Sequence, residues 1–162
     1  MDQIIQSLID ATKFPQPKRK DWRIGCIGAG FIMADCHLVA YKNAGFNPVA
    51  IASRTPAHAA KVAEQRAIAK TYDSWQELIA DESIEILDIA FPPDQQLEIV
   101  QAACKQKHIR GILCQKPIEM SLSRAREIVR AGQEAGVTIA VNSNMRCDQS
   151  MRALKYLLDT NE

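Results

Sequence analysis

The chain has 162 residues, 47% of them hydrophobic and 24% charged, and a formal net charge of +1. That suits a soluble globular body with a core large enough to fold, and argues against nucleic acid or an anionic membrane as the main partner. The five cysteines are odd in number and lack CxxC spacing, which fits a reducing cytoplasm and offers no metal site.

Residues 1–12 (MDQIIQSLIDAT) put Ile4, Ile5, Leu8 and Ile9 on one helical face, so a short amphipathic helix is predicted. FPQPKRK breaks it, and Lys18-Arg19-Lys20 beside Pro15 and Pro17 reads as a solvated linker. Strands are then predicted at 23–27, 48–53, 85–90, 109–114 and 137–142, with a weaker one near 69–71. Helices are predicted at 31–44, 56–66, 74–80, 93–107, 121–135 and 148–159. Thr55-Pro56, Ser74 and Ser121 are helix-start signals, and Gly136 is a helix-end glycine. Apolar strands alternating with amphipathic helices imply a Rossmann-type α/β fold, a doubly wound parallel sheet with helices on both faces. No run of about 18 apolar residues is present, and no basic segment precedes an apolar stretch at the N-terminus, so neither a membrane span nor a secretory leader is read.

The first strand runs into Gly28-Ala29-Gly30-Phe31-Ile32-Met33. In a dinucleotide fold the first glycine makes the tight turn, and the second lets the backbone approach the pyrophosphate. The third position serves packing, and here it is Met33. Amides at the helix start, around Phe31 and Ile32, then hold the anion. A carboxylate after the second strand would mark an NAD site; Ser53, Arg54 and Thr55 stand there instead. A guanidinium and two hydroxyls suit a 2′-phosphate, so NADP(H) is expected over NAD(H).

Four stretches, GAGFIMADCHLVAY, AIASRTPAHAAKVAE, DIAFPPDQQLEIV and GILCQKPIEMSLSRAREIV, together resemble the Gfo/Idh/MocA oxidoreductases in order and spacing, and AVNSNMRCDQS resembles that family's strand-plus-arginine segment. The resemblance covers roughly residues 22–155. It implies a short extension over 1–21 and an NAD(P)-binding domain over 22–162. It also implies hydride transfer to or from a sugar, polyol or related substrate, and a homo-oligomer when full length. The family carries a second, substrate-binding domain that this sequence does not show, so a fragment of a longer enzyme is expected, with a lone cofactor domain the alternative. The family has Glu-Lys-Pro where Gln115-Lys116-Pro117 stands, often a histidine at Gln96, and a small residue at Met33.

In this resemblance Lys116 is the catalytic group, bonding the substrate oxygen, and also a cofactor contact at the nicotinamide ribose, with Pro117 a candidate for a cis peptide bond. A glutamate at position 115 would favour the charged lysine; glutamine does not. Pro92 and Pro93 line the nicotinamide side, and Gln96, Gln115, Asn144 and Arg146 complete the expected cofactor contacts. Asn142 either bonds the nicotinamide or shapes the turn. His37 is read as a helix residue packed or facing solvent, His58 and His108 as surface residues, and Cys114 as core. No hydrolase motif appears. Two other readings stay open at this point. One is a non-catalytic NAD(P) sensor; the other is an S-adenosylmethionine methyltransferase, which the missing acidic residue after the second strand disfavours.

Overall fold

The structure, a computed structural model, describes residues 2–13 and 17–160. Met1 of the predicted first helix and Phe14–Gln16 of the predicted linker lie outside the described residues. The chain divides into two compact units, one comprising residues 1–18 and 143–162, the other Arg19–Asn142.

The larger unit is a six-stranded parallel sheet. Its strands are β1 (Arg23–Ile27), β2 (Asn47–Ala52), β3 (Lys70–Tyr72), β4 (Ile86–Ile89), β5 (Gly111–Gln115) and β6 (Thr138–Asn142). Their spatial order is β3-β2-β1-β4-β5-β6, so the order reverses between β1 and β4. The connections are a π turn (Ile32–His37) continuing into α2 (Leu38–Ala44), then α3 (Pro56–Arg66), α4 (Trp75–Ala80), α5 (Pro93–Ala103) and α6 (Leu122–Ala135). One face of the sheet packs Ile27, Ile89, Ile112 and Cys114 against α4, α5 and α6 residues such as Leu78, Val100 and Ile128. The other packs Ile24, Cys26 and Ile51 against Met33, Leu38, Ala59 and Val62. Burial on both faces is why these strands are short continuous apolar runs.

Two of the three predicted helix starts hold at side-chain level, while Thr55 precedes α3 without a side-chain cap bond. Ser74 Oγ accepts the Glu77 N–H at 3.2 Å and Ser121 Oγ accepts the Arg124 N–H at 3.3 Å. Gly136 closes α6 in the left-handed conformation, φ 67°. Two predicted elements have a boundary that moves by more than one residue. The helix expected over 93–107 ends at Ala103, because Lys105 and Gln106 bond back three residues in a tighter last turn. The strand expected at 109–114 is Gly111–Gln115, which puts Gln115 inside the ladder opposite Asn142. The basic run is also less free than a linker: Arg19 pairs with Asp21 and stacks on Trp22, and Lys20 bonds the Ala44 carbonyl at the end of α2.

The smaller unit holds α1 (Asp2–Thr12), a 3₁₀ turn (Asn144–Cys147) and α7 (Gln149–Thr160). Arg152 donates to the carbonyls of Ala11 and Lys13, satisfying the last turn of α1. The predicted domain over 22–162 therefore contains a stretch, from Ser143 onward, that groups with the N-terminal helix.

Candidate functional site

Strand register sets the site. Ile27 of β1 lies opposite Ala52 and Ile89, and Ile89 lies opposite Cys114. The next residues, Gly28, Ser53, Ala90 and Gln115, therefore share one level at the carboxyl edge of the sheet. In open α/β sheets ligands bind beyond this edge, at the point where strand order reverses.

At that point Gly28 has φ +113°, and a Cβ on it would stand 2.7 Å from the Ala90 carbonyl oxygen. Two backbone bonds lock the crossing: Gly28 N–H to Ala52 O and Ala90 N–H to Ile27 O, each 2.8 Å. Gly30 is different, since a Cβ there would meet nothing within 4 Å. No atom of the described residues requires glycine at 30, and the open space leaves room for a ligand to approach the backbone. The first intrahelical donor is Ala34 N–H, to Gly30 O, so the amides of Phe31, Ile32 and Met33 have no acceptor within the helix. Phe31 and Ile32 are exposed and Met33 is fully buried in the core, so the third loop position packs, as its place in the sequence implied. The residues present fit a pyrophosphate.

On the β2 side, Ser53 Oγ accepts the Thr55 N–H at 3.3 Å. The Arg54 guanidinium carbon lies 5.9 Å from the centre of the Phe91 ring, reaching from the end of β2 toward the end of β4. Beside Gly30 a groove of about 430 Å³ opens, lined by Phe31, Asp35, His58 and Lys61 among others. His58, read from sequence as a surface residue, faces this groove.

On the β5 side the Lys116–Pro117 bond is cis and Lys116 is exposed. Two neighbours hold its loop. Gln96 is fully buried; its amide donates to the carbonyls of Gln115 (3.0 Å) and Pro117 (3.1 Å), while its oxygen accepts the Gln115 N–H at 2.8 Å. Both ends of the Gln96 side chain, expected from the sequence to contact the cofactor, are thus spent on the backbone around Lys116. Leucine at 96 would leave those backbone groups unpaired, and we expect Gln96→Leu to lower stability by about 2–3 kcal/mol in urea unfolding. Gln115 Oε1 accepts the backbone N–H of Lys116 at 2.9 Å, so Gln115 acts on the lysine's backbone. Pro92 caps α5 and is exposed; Pro93 is its first residue.

Glu119, just beyond, accepts the N–H groups of Met120 and Ser121 and the Arg124 Nε–H at 2.7 Å. The Arg124 bond foremost, then the two amides, hold its carboxyl below the ordinary glutamate range. A depressed folded-state value gives stability that is present above the unfolded glutamate range and lost as pH falls through the folded value. The melting-temperature difference between wild type and Glu119→Gln is accordingly expected to be constant at neutral pH and to shrink on acidification below pH ~4.

The family model described as the oxidoreductase family with an NAD-binding Rossmann fold, GFO_IDH_MocA, matches residues 22–143. The chain belongs to the Gfo/Idh/MocA family. It is 31% identical over 134 residues to 1,5-anhydro-D-fructose reductase of Ensifer adhaerens, covering 82% of this chain and 39% of the relative. It is 30% identical over 135 residues to D-apiose dehydrogenase of Rhizobium rhizogenes, covering 83% and 38%. A crystal structure of an oxidoreductase from Agrobacterium radiobacter in complex with NAD+, L-tartaric acid and magnesium superposes with TM-score 0.80 at 29% identity, over 86% of this chain and 40% of that one. The chain thus spans about two fifths of the length of the curated relatives it matches.

Within this Gfo/Idh/MocA domain the sequence reading missed one polar cluster. Asp88, in the middle of β4, has a side chain only 1% exposed. Its Oδ2 lies 2.7 Å from both His37 Nδ1 and Tyr41 Oη, and its Oδ1 is buried without a partner among the described residues. His37 Nε2 lies 2.7 Å from Asn142 Nδ2. The signal available was an aspartate inside the otherwise apolar run from Ile86 to Phe91, where a carboxylate needs partners. His37 is therefore neither simply packed nor solvated. Burial first, then Asp88, pushes the Cys114 thiol up to about 12, which leaves it an inert core residue. Asn144 and Arg146 lie exposed on the 3₁₀ turn of the smaller unit.

Proposed function

We propose that this domain binds NADP(H) across the β1/β4 edge and serves an oxidoreductase that moves hydride between the cofactor and a sugar, polyol or related hydroxyl or carbonyl compound. The observation that carries this reading is the single row of strand ends, from Gly28 through Ala90 to Gln115, with Lys116 immediately beyond. Sugar-directed names among the relatives, the reductase of 1,5-anhydro-D-fructose and the dehydrogenase of D-apiose, support the substrate class.

Gly28 and Gly30, with the amides of Phe31 and Ile32, would hold the pyrophosphate. Ser53 and Arg54 would bind the adenosine 2′-phosphate, and Pro92 and Pro93 would border the nicotinamide half. The bound cofactor supplies hydride transfer. Lys116 handles the oxygen at the reacting carbon, donating a hydrogen bond to it and stabilising the charge that develops there. Gln96 and Gln115 keep the lysine's backbone in place for that task. Asn144 and Arg146 are assigned to the cofactor or substrate by resemblance alone.

In this reading the residues that select the substrate belong to a further domain, and the whole enzyme is a cytoplasmic homo-oligomer without nucleic-acid or membrane partners. No helix among the described residues is long and apolar enough to cross a membrane. Arg54 tests the cofactor assignment. Arg54→Ala is expected to weaken NADP+ binding about tenfold or more, the worth of a charge-assisted contact, and to leave NAD+ within about twofold. Equal losses for both dinucleotides would place Arg54 outside the 2′-phosphate site.

A further inference from the structure

The Asp88 cluster lies on the sheet face that carries α2 and ends at the cofactor edge. Asp88 sits between Cys26 of β1 and Leu113 of β5 in register, and His37 and Tyr41 reach it from positions four apart on one helical stretch. Tyr41 keeps its proton, because burial and the nearby carboxylate push its hydroxyl far up, so it donates to Asp88 Oδ2. A carboxylate oxygen only accepts, so His37 Nδ1 carries the ring hydrogen. Nε2 of the neutral ring then offers a lone pair, which the Asn142 amide meets with its NH₂. The other end of that amide, Asn142 Oδ1, is turned away from His37. It takes no hydrogen bond among the described residues. Asn142 is half-buried at the last position of β6, opposite Gln115 and one residue from the level of Lys116.

We infer that Asp88 and His37 are positioning residues that fix the Asn142 amide so that its oxygen faces the cofactor edge as a hydrogen-bond acceptor for the carboxamide NH₂ of the nicotinamide ring. The inference rests on the dinucleotide reading above. The half of the edge matters: β5 and β6 lie across the switch point from Ser53 and Arg54, where the nicotinamide end belongs if the adenosine end is at β2. The chemistry matters equally. A fixed acceptor selects a donor, and the carboxamide is the nitrogen donor of that end. With His37 removed the amide turns freely and offers either its oxygen or its NH₂, so selection for a donor is lost.

The test compares NADP+ with its 3-acetylpyridine analogue, which has a methyl ketone in place of the carboxamide, by calorimetric titration of this chain. Wild type is expected to prefer NADP+ about threefold to tenfold, the worth of one hydrogen bond. His37→Leu is expected to hold NADP+ within about threefold and lose the preference. Asn142→Ala, at the strand end and touching the buried pair only through His37 Nε2, is expected to lose it as well, and so decides the matter if His37→Leu does not fold. Nitrogen-detected NMR of the ligand-free wild type is expected to show the His37 hydrogen on Nδ1 with Nε2 bare. Equal affinity for the two dinucleotides in wild type, a preference that survives in Asn142→Ala, or a neutral ring protonated at Nε2 overturns the relay and leaves the cofactor site standing. Failure of the folded wild type to bind either dinucleotide overturns both.

Discussion

Alanine at Gly30 is expected to weaken NADP+ binding at least about tenfold while leaving the unfolding midpoint where it is. Alanine at Gly28 is expected to act the other way round, lowering stability by about 2–4 kcal/mol before any ligand is considered. The two glycines stand two residues apart in one loop, and the difference comes from what surrounds them. At Gly28 an added Cβ meets the Ala90 carbonyl oxygen at 2.7 Å on a backbone with φ +113°, so both the contact and the conformation resist a side chain. At Gly30 the φ is not in the left-handed region and a Cβ meets nothing within 4 Å. Urea unfolding and calorimetric titration of both variants separate the cases. Undiminished NADP+ binding by Gly30→Ala would remove the pyrophosphate from this loop.

Replacing Lys116 with methionine in the full enzyme is expected to lower kcat/KM by about 10²–10⁴-fold, with the NADP+ Kd changed less than about threefold. The side chain is exposed and forms no ion pair among the described residues, so its removal strands no buried partner and leaves the fold intact. Its backbone, by contrast, is held on both sides, by Gln96 through the residues that flank it and by Gln115 Oε1 on its own N–H. A flexible side chain on a fixed backbone at the strand edge is what a group acting on a reacting oxygen needs. A loss carried by Kd instead of kcat would make Lys116 a cofactor-binding residue. Steady-state kinetics with a matched titration reads the split.

Much of this was legible in the sequence because period and punctuation agree. Five largely apolar runs alternate with amphipathic helical stretches, two of which open on the signals Thr55-Pro56 and Ser121, which leaves little besides a doubly wound sheet, and the glycine loop falls after the first strand. What escaped the sequence depends on contacts between distant residues. Asp88 and His37 are 51 positions apart, His37 and Asn142 are 105 apart, and only the folded sheet brings them together. Gln96 looked like a cofactor contact because it opens a helix near the cleft; its burial, and the backbone it bonds, follow from how α5 lies against β5. The π turn at Ile32–His37 has no local signature, since its defining bond, Leu38 N–H to Met33 O, differs from an α-helix by one residue of register. The grouping of Ser143–Glu162 with the N-terminal helix was hidden for a related reason: two amphipathic helices at opposite ends of a chain each show an apolar face and neither names its partner.

The central claim is that this domain holds a nicotinamide dinucleotide, and calorimetric titration of the 162-residue chain with NADP+ and then NAD+ tests it most directly. Saturable one-to-one binding of both, tighter for NADP+, is expected. No binding of either dinucleotide to a chain shown to be folded would contradict it.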